Sequence, residues 1–395
     1  FLLRRRHVVV EGRLIPPTRG FSFRVQAADG TARRAVLQTP HGPVDTPTFM
    51  PVGTQGSVKT LTPREVAGTG AQVVLANTYH LMLRPGAETV AALGGLHAFT
   101  RWPHAMLTDS GGYQAFSLSA RSSSQLSLVD AAEDGFAFKS HLDGSTHTLT
   151  PERAVSVQGL LGADIQMQLD VCPAGNVARE VVERAVARTT RWARRSLATA
   201  RPEHQALFGI VQGACFADLR RDHAQELGAL PFDGLALGGF SVGEPIERMH
   251  ETLRETAPLL DPERPRYLMG VGTPSDLVLA IGFGVDMFDC VLPTRNARNG
   301  QAFTRRGRIV IKQARWREDP HPLDELCECA CCSGGFSRAY LRHLYLAGEI
   351  LCLRLLSLHN LHYYGWLVRG ARRAIEERCY AAWARDTLAS MAENP

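Results

Sequence analysis

Lysine is nearly absent from the chain: Lys59, Lys139 and Lys312 are the whole complement. Arginine favours bidentate phosphate contacts, but a chain-wide bias of this kind is read as base composition and not as function. No apolar run approaches the ~18 residues that would suggest a membrane span. The opening FLLRRRHVVVEGRLIPP has no sustained apolar core and no small-residue cleavage site, which argues against a secretory signal. It also lacks an initiator Met, and residues 1–20 are expected to be a mobile extension. No repeat of 20–50 residues is found. Hydrophobic residues at 45% and charged residues at 21% exclude wholesale disorder.

Acid is missing from one place in particular. Residues 295–317 hold Arg295, Arg298, Arg305, Arg306, Arg308, Lys312, Arg315 and Arg317 and no Asp or Glu. Removing those eight charges turns the formal +5 of the chain into −3. A slightly acidic protein with one basic stripe has the layout of a polyanion contact site, and a solvated basic face is the competing reading of charge alone.

What recurs along the chain is an apolar run, a polar residue, a Gly- or Pro-rich turn and a helical pattern. The runs are Val73–Ala76, Ala105–Thr108, Ile165–Leu169, Phe208–Val211, Leu235–Leu237, Tyr267–Met269 and Val285–Phe288. Amphipathic stretches at 151–162, 178–200, 216–228, 245–257 and 274–283 lie between several of them. Thr150-Pro151 and Thr273-Pro274 read as an N-cap followed by Pro at the first helical position. Nearly continuous apolar strands alternating with helices mean a parallel sheet with crossovers. The expected fold is therefore α/β, a (β/α)8 TIM barrel, whose active site lies at the C-terminal strand ends. Asp109, Asp170, Gln212, Gly238 and Asp289 close such runs and are expected at one mouth. Residues 21–60, including VDTPTFMPV, read as an antiparallel hairpin lid over the barrel's bottom or side. Residues 120–148 read as an insertion with its own hairpin, and the Ser-rich 121–127 as a surface loop. The expected organisation is a barrel over 21–310 with hairpin insertions, then a zinc-binding subdomain with C-terminal helices over 311–395.

Nine cysteines, with four of them between 327 and 332, suit a reduced, cytoplasmic compartment with one metal site better than a disulfide framework. Cys327, Cys329 and Cys332 give close-set sulfur ligands for tetrahedral zinc, with Cys331 as a spare for Cys332. The helical stretch that follows offers His343 or His359 as the fourth ligand. Such a closed site is structural.

Around Asp109, the stretch LTDSGGYQAFSL adds a Gly-Gly turn, which allows close approach of a flat ligand, and the ring of Tyr113, which offers a stacking face. Asp289, in DMFDCVLPTR, is followed directly by the basic stripe. Three strand-end aspartates, a glutamine and a basic stripe on one mouth favour a site over structural caps.

The chain resembles the bacterial tRNA-guanine transglycosylases, or queuine tRNA-ribosyltransferases. The matching stretches include NTYHLMLRPGAE at 77–88, LTDSGGYQ at 107–114, FKSHLDGSTHTLTPERAV at 138–155 and LGADIQMQLDVC at 161–172. They continue with LFGIVQG at 207–213, GLALGGFSVGE at 234–244, RYLMGVGTP at 266–274, DMFDCVLPTRNARNGQAFT at 286–304 and SRAYLRHLYLAGEIL at 337–351. The resemblance implies exchange of the wobble guanine in tRNAs with a GUN anticodon (Tyr, His, Asn, Asp) for a 7-deazaguanine. It makes Asp289 the nucleophile at ribose C1′ and Asp109 the general acid/base of a retaining double displacement. Asp170 then reads the two adjacent donors of a guanine-type ring. Gln212 and Gly238 hold its carbonyl side, Gly239 permits close approach, Ser110 bonds near the base, and Tyr113 and Met269 face the ring.

Arg295 and Arg298 become anticodon-loop contacts, and Cys327, Cys329, Cys332 and His359 the zinc ligands, which leaves His343 a helix-face residue. No ATP, nicotinamide or catalytic metal is implied, and a homodimer is. The chain departs from the family pattern in an extra residue at 333–335, the added Cys331 and a longer 119–131 segment. Only 36 residues follow His359, too few for an added archaeal RNA-binding domain. Val242, where eukaryotic forms tend to carry Gly, points to 7-aminomethyl-7-deazaguanine as the incoming base, with queuine as the alternative. From the carboxylates alone a zinc-stabilised glycoside hydrolase is the competing reading, and from the stripe alone a tRNA-binding protein without chemistry.

Overall fold

Eight short parallel strands close on themselves in chain order in the computed structural model, which describes residues 8–10, 13–115 and 132–393. They are β6 (Thr48–Gly53), β7 (Val73–Ala76), β8 (Ala105–Thr108), β11 (Ile165–Met167), β12 (Ala206–Val211), β13 (Gly234–Leu237), β14 (Arg266–Leu268) and β15 (Met287–Cys290). β15 pairs with β6 and completes the barrel. Seven of these strands are the apolar runs read from the sequence. Each needs both faces buried, since one side fills the barrel and the other meets the helical ring. Met50, Leu75, Leu107, Ile165, Met167, Phe208, Ile210, Tyr267 and Met287 fill the interior.

The eighth strand corrects the expectation for residues 21–60. Thr48–Gly53 is the first barrel strand and not part of a lid. The antiparallel sheet that precedes it is β3 (Ser22–Asp29), β4 (Ala32–Thr39) and β5 (Gly42–Thr46). Its Leu37 and Val44, together with Phe21, join the interior cluster, so the sheet plugs the barrel at its N-terminal end. Arg33 of β4 clamps it there by pairing with Asp286, which is fully buried just before β15. Residues 1–20, expected to be an extension, include a short strand pair. β1 (Val8–Val10) pairs with β2 (Arg13–Ile15), and Val10 and Ile15 are buried.

The expected helices form at Pro151–Leu161, Arg179–Ala198, Ala217–Gly228, Ile246–Thr256 and Pro274–Gly282. Thr150 caps the first, accepting from the Arg153 N–H, and Thr273 forms a capping box with Asp276 on the last. The insertion carries its expected hairpin, β9 (Phe136–Lys139) with β10 (Thr146–Leu149). The Ser-rich 121–127 lies outside the described residues.

Beyond β15 come a short helix, Leu292–Arg298, and a hairpin of β16 (Gln301–Thr304) and β17 (Gly307–Val310). The hairpin's Ala302 and Ile309 share a core with the cysteine cluster. The long helix Ile350–Glu376 starts in that core and then runs onto the barrel. There Tyr364 packs on Phe49 with ring centroids 4.5 Å apart, and its hydroxyl donates to the Gly272 carbonyl at 2.6 Å. This helix therefore joins the knuckle to the barrel wall.

Candidate active site

Asp109 follows β8 and is held by β7's neighbours. The Thr78 N–H donates to its Oδ1 at 2.8 Å, and the Asn77 amide donates to its Oδ2. Burial pushes its carboxyl up to about 7, and the nearby charge of Asp289 adds to the rise. Hydrogen bonds from the Thr78 and Gly111 backbone and the Gln114 side chain oppose it. Asp289 ends β15. The Tyr267 hydroxyl donates to its Oδ1 at 2.6 Å and the Gly270 N–H donates to the same oxygen at 2.8 Å. Burial also raises Asp289, against those two donors. One oxygen is thus fixed by β14, and Oδ2 accepts no hydrogen bond among the described residues. These two carboxylates, both raised by burial and Asp109 further by the charge of Asp289, form the pair expected where acid/base and nucleophilic work are divided.

Asp170 lies beyond β11, where Gln212 Nε2 donates to its Oδ2 at 2.7 Å. Burial pushes this carboxyl up to about 6. The other amide atom, Gln212 Oε1, is buried and has no hydrogen-bond partner among the described residues. A buried acceptor left open beside a buried carboxylate is a ready contact for a polar ring. Gly238 and Gly239 make room for Gln212. A Cβ at Gly238 would stand 2.6 Å from Gln212 Nε2, and one at Gly239, where φ is +68°, would stand 2.3 Å from Oε1. The Gly111-Gly112 turn serves packing in a similar way. A Cβ on Gly112 would meet Leu169 at 2.8 Å, and Gly111 (φ +79°) backs onto the Tyr79 backbone. At each of these glycines a Cβ would press on protein atoms.

Ser110 is buried, and its Oγ accepts from the Gly112 N–H at 3.3 Å. Met269 is half-buried against the interior cluster at the end of β14, while Tyr113 is 51% exposed.

The residues that hold this frame escaped the sequence reading. Arg220 is fully buried, with its guanidinium donating to the carbonyls of Ala214, Val211, Gly238 and Gly239 and lying 3.7 Å over the Phe240 ring. His223 Nδ1 accepts the Gln212 N–H at 2.9 Å. Burial pushes the His223 pKa down to about 4, so the ring stays neutral and able to accept. Both residues sit in ADLRRDHAQELG, which reads as an ordinary charged helix. Asn77 and Thr78 were legible only as the residues after an apolar run.

The helix Leu292–Arg298 carries the first arginines of the basic stripe away from Asp289. Arg295 is exposed, and Arg298 is half-buried and donates to the Thr294 carbonyl at 2.9 Å. Further along, the stripe is partly spent on internal contacts. Arg305 donates to the Leu326 carbonyl and lies over the Trp366 ring, and Arg315 lies over Trp316.

Cys327, Cys329, Cys332 and His359 bring one ligand atom each within 4.8 Å of one another and could hold a metal ion. The three sulfurs lie 3.4–3.6 Å from His359 Nδ1. His359 Nε2 is 2.7 Å from the Phe303 carbonyl, a contact that puts the ring proton on Nε2 and leaves Nδ1 free to bind metal. Three soft sulfurs and one imidazole in a closed, buried group fit tetrahedral zinc. Cys331 is buried outside the group, and His343 is exposed on its helix. His362, one turn beyond His359, approaches Cys327 Sγ at 3.5 Å.

Residues 29–393 match the family model described as Queuine tRNA-ribosyltransferase. A protein named Queuine tRNA-ribosyltransferase from Sorangium cellulosum is 70% identical over 371 residues, covering 94% of this chain and 92% of the relative. Similarly named proteins from Syntrophobacter fumaroxidans and Cereibacter sphaeroides are 53% and 51% identical. These alignments cover 92% and 91% of this chain and 96% and 93% of the relatives.

Proposed function

The chain belongs to the queuine tRNA-ribosyltransferase family and is a tRNA-guanine transglycosylase; on that premise we propose that it exchanges the wobble guanine of GUN-anticodon tRNAs (Tyr, His, Asn, Asp) for 7-aminomethyl-7-deazaguanine. The observation that carries this reading is the Asp289–Asp109 pair at one barrel mouth, with one raised to about 7 by burial and the other's charge.

In the first displacement Asp289 Oδ2 attacks ribose C1′ while Tyr267 and Gly270 hold Oδ1. The C1′–N9 bond breaks, its electron pair leaves with guanine, and Asp109 supplies the proton. A ribosyl-aspartate ester remains. In the second, the incoming base gives its N9 proton to Asp109 and attacks C1′, the ester bond breaks, and Asp289 returns as carboxylate. Two inversions give retention. Asp170 accepts from N1–H and the exocyclic amine. With its amide turned to present Nε2, Gln212 serves the carbonyl side beside Gly238, with Ser110 beside the base and Tyr113 and Met269 on the ring faces. Gly239 keeps Gln212 in place. Adenine presents no such donor pair and would leave buried Asp170 without donors from the ring, which costs strongly. The wobble nucleotide must leave its stack to enter.

Arg295 and Arg298 serve as anticodon-loop contacts. Zinc at Cys327, Cys329, Cys332 and His359 is structural. The exposed Leu346, Ile350 and Leu351, at the turn into the long helix, support a homodimer. A cytoplasmic setting follows from the tRNA substrate; no helix among the described residues is long and apolar enough to cross a membrane. Val242 favours the smaller base over queuine. It lies in the loop after β13, and its carbonyl accepts from the Gly175 N–H at 3.1 Å.

The test is covalent trapping. Folded, zinc-loaded protein incubated with tRNA-Tyr is run on denaturing gels, then chased with guanine, 7-aminomethyl-7-deazaguanine, queuine or adenine. The expected result is a tRNA adduct that is absent in Asp289→Ala and discharged fastest by 7-aminomethyl-7-deazaguanine. An adduct that persists in Asp289→Ala, or no adduct in the wild type, refutes the mechanism.

A further inference from the structure

At the N-terminal end of the barrel, opposite the mouth, a second cluster of ligating side chains comes from three separate elements. His41 lies in the turn between β4 and β5, His97 on the short helix Gly95–Thr100, and Asp164 immediately before β11. Each imidazole faces its own carboxylate oxygen: His41 Nδ1 is 2.8 Å from Asp164 Oδ1 and His97 Nε2 is 3.2 Å from Oδ2. The two rings stack with centroids 3.5 Å apart and planes 10° from parallel. The three ligand atoms lie within 4.8 Å of one another.

We propose that His41, His97 and Asp164 form a second transition-metal site, an N2O donor set for zinc-like divalent ions on the opposite end of the barrel from the active site. Two bonds of ~2.0 Å at a tetrahedral angle span about 3.3 Å, close to the nitrogen–oxygen separations already present, while the stacked rings have to swing apart by roughly 1 Å for both in-plane nitrogen lone pairs to meet one ion. Asp164 is completely buried in side chain, and the Met106 N–H steadies its Oδ2 at 2.8 Å. The carboxylate is therefore preorganised and cannot swing out to water. His41 is 37% exposed in side chain, which leaves a solvent path and a coordination position for water. Two imidazoles and one carboxylate suit Zn2+, Co2+ or Ni2+, whereas Mg2+ and Ca2+ prefer all-oxygen shells. A metal here would pin the β4–β5 turn and the Gly95–Thr100 helix to the barrel floor.

The experiment uses the full chain carrying one zinc, titrated with Co2+. Metal per chain is measured after gel filtration, and the visible spectrum is recorded. The expected result is one additional Co2+ per chain with weak ligand-field bands and no intense thiolate-to-cobalt charge transfer, which separates it from exchange at the cysteines. His41→Ala, at the exposed turn, and His97→Gln, which keeps a donor to Asp164, should each retain the zinc and weaken Co2+ binding at least tenfold. Absence of a second equivalent in folded wild type overturns the proposal. So does thiolate charge transfer accompanying all of the bound Co2+, or unchanged binding in both variants. In either case the cluster is a hydrogen-bonded clamp only.

Discussion

Removing the Asn77 amide should move the acid limb of the reaction in a direction the structure dictates. The amide donates to Asp109 Oδ2 and favours the charged carboxylate. A hydrogen bond to a charged group is worth ~1.5–3 kcal/mol, and at 1.36 kcal/mol per pKa unit its loss raises the carboxyl by about 1–2 units. Asp109 starts at about 7, so Asn77→Ala brings it to about 8–9. The kcat/KM for tRNA reports the free enzyme, in which Asp109 must be protonated to give guanine its proton. At pH 8 roughly a tenth of the wild-type carboxyl is protonated, against half to nine-tenths in the variant. The descending limb of kcat/KM, followed by labelled-guanine incorporation between pH 6 and 9, should therefore shift to higher pH by 1–2 units. Asn77 also caps the helix Thr78–Leu83 by accepting from the His80 N–H. That loss, about 1 kcal/mol, lowers Tm without moving the limb. A limb that stays in place, or moves to lower pH, refutes the role given to Asp109.

Asp170→Asn should trade function for stability. Burial raises Asp170 from 3.8 to about 6, so the folded state binds its proton more tightly than the unfolded chain does. Wild-type stability attributable to this group falls as pH rises from about 4 to about 6 and is flat above. Urea midpoints should show the variant gaining on wild type by up to about 3 kcal/mol between pH 4 and pH 8, with guanine exchange lost; a pH-independent difference contradicts the burial argument. Cys332→Ser should lose the zinc measured by elemental analysis, and Cys331→Ser should keep it. Arg33→Ala leaves Asp286 buried without its cation and should cost ~3–5 kcal/mol in chemical denaturation, and a loss under 1 kcal/mol would mean that water reaches the site.

Much of the barrel was legible because a strand buried on both faces is a continuous apolar run. Thr48–Gly53 was misread since Pro51 breaks the strand pattern and the segment follows an antiparallel sheet without a helix between them. Its placement comes from closure against β15, a contact more than two hundred residues away. The reacting carboxylates and Gln212 were legible as polar residues ending apolar runs. The groups that aim them were not. Arg220 and His223 look solvated in sequence, and only tertiary packing turns them inward onto carbonyls and the Gln212 N–H.

The cysteine knuckle and Asp289 are joined by a short mechanical path. His359 reaches the Phe303 carbonyl, and the Phe303 N–H donates back to Asn360 Oδ1 at 2.9 Å. The Asn360 amide then donates to the carbonyls of Pro293 at 2.8 Å and Gln301 at 3.0 Å. Pro293, four residues after Asp289, lies in the first turn of the helix that carries Arg295. One pair of neighbouring residues on the long helix thus offers a metal ligand with one side chain and anchors the arginine-bearing helix with the other. On the proposed function, a metal held there can in this way set where Arg295 and Arg298 sit relative to Asp289. Loss of zinc should accordingly weaken tRNA binding before it disturbs the barrel, whose own core is closed by β15 and β6.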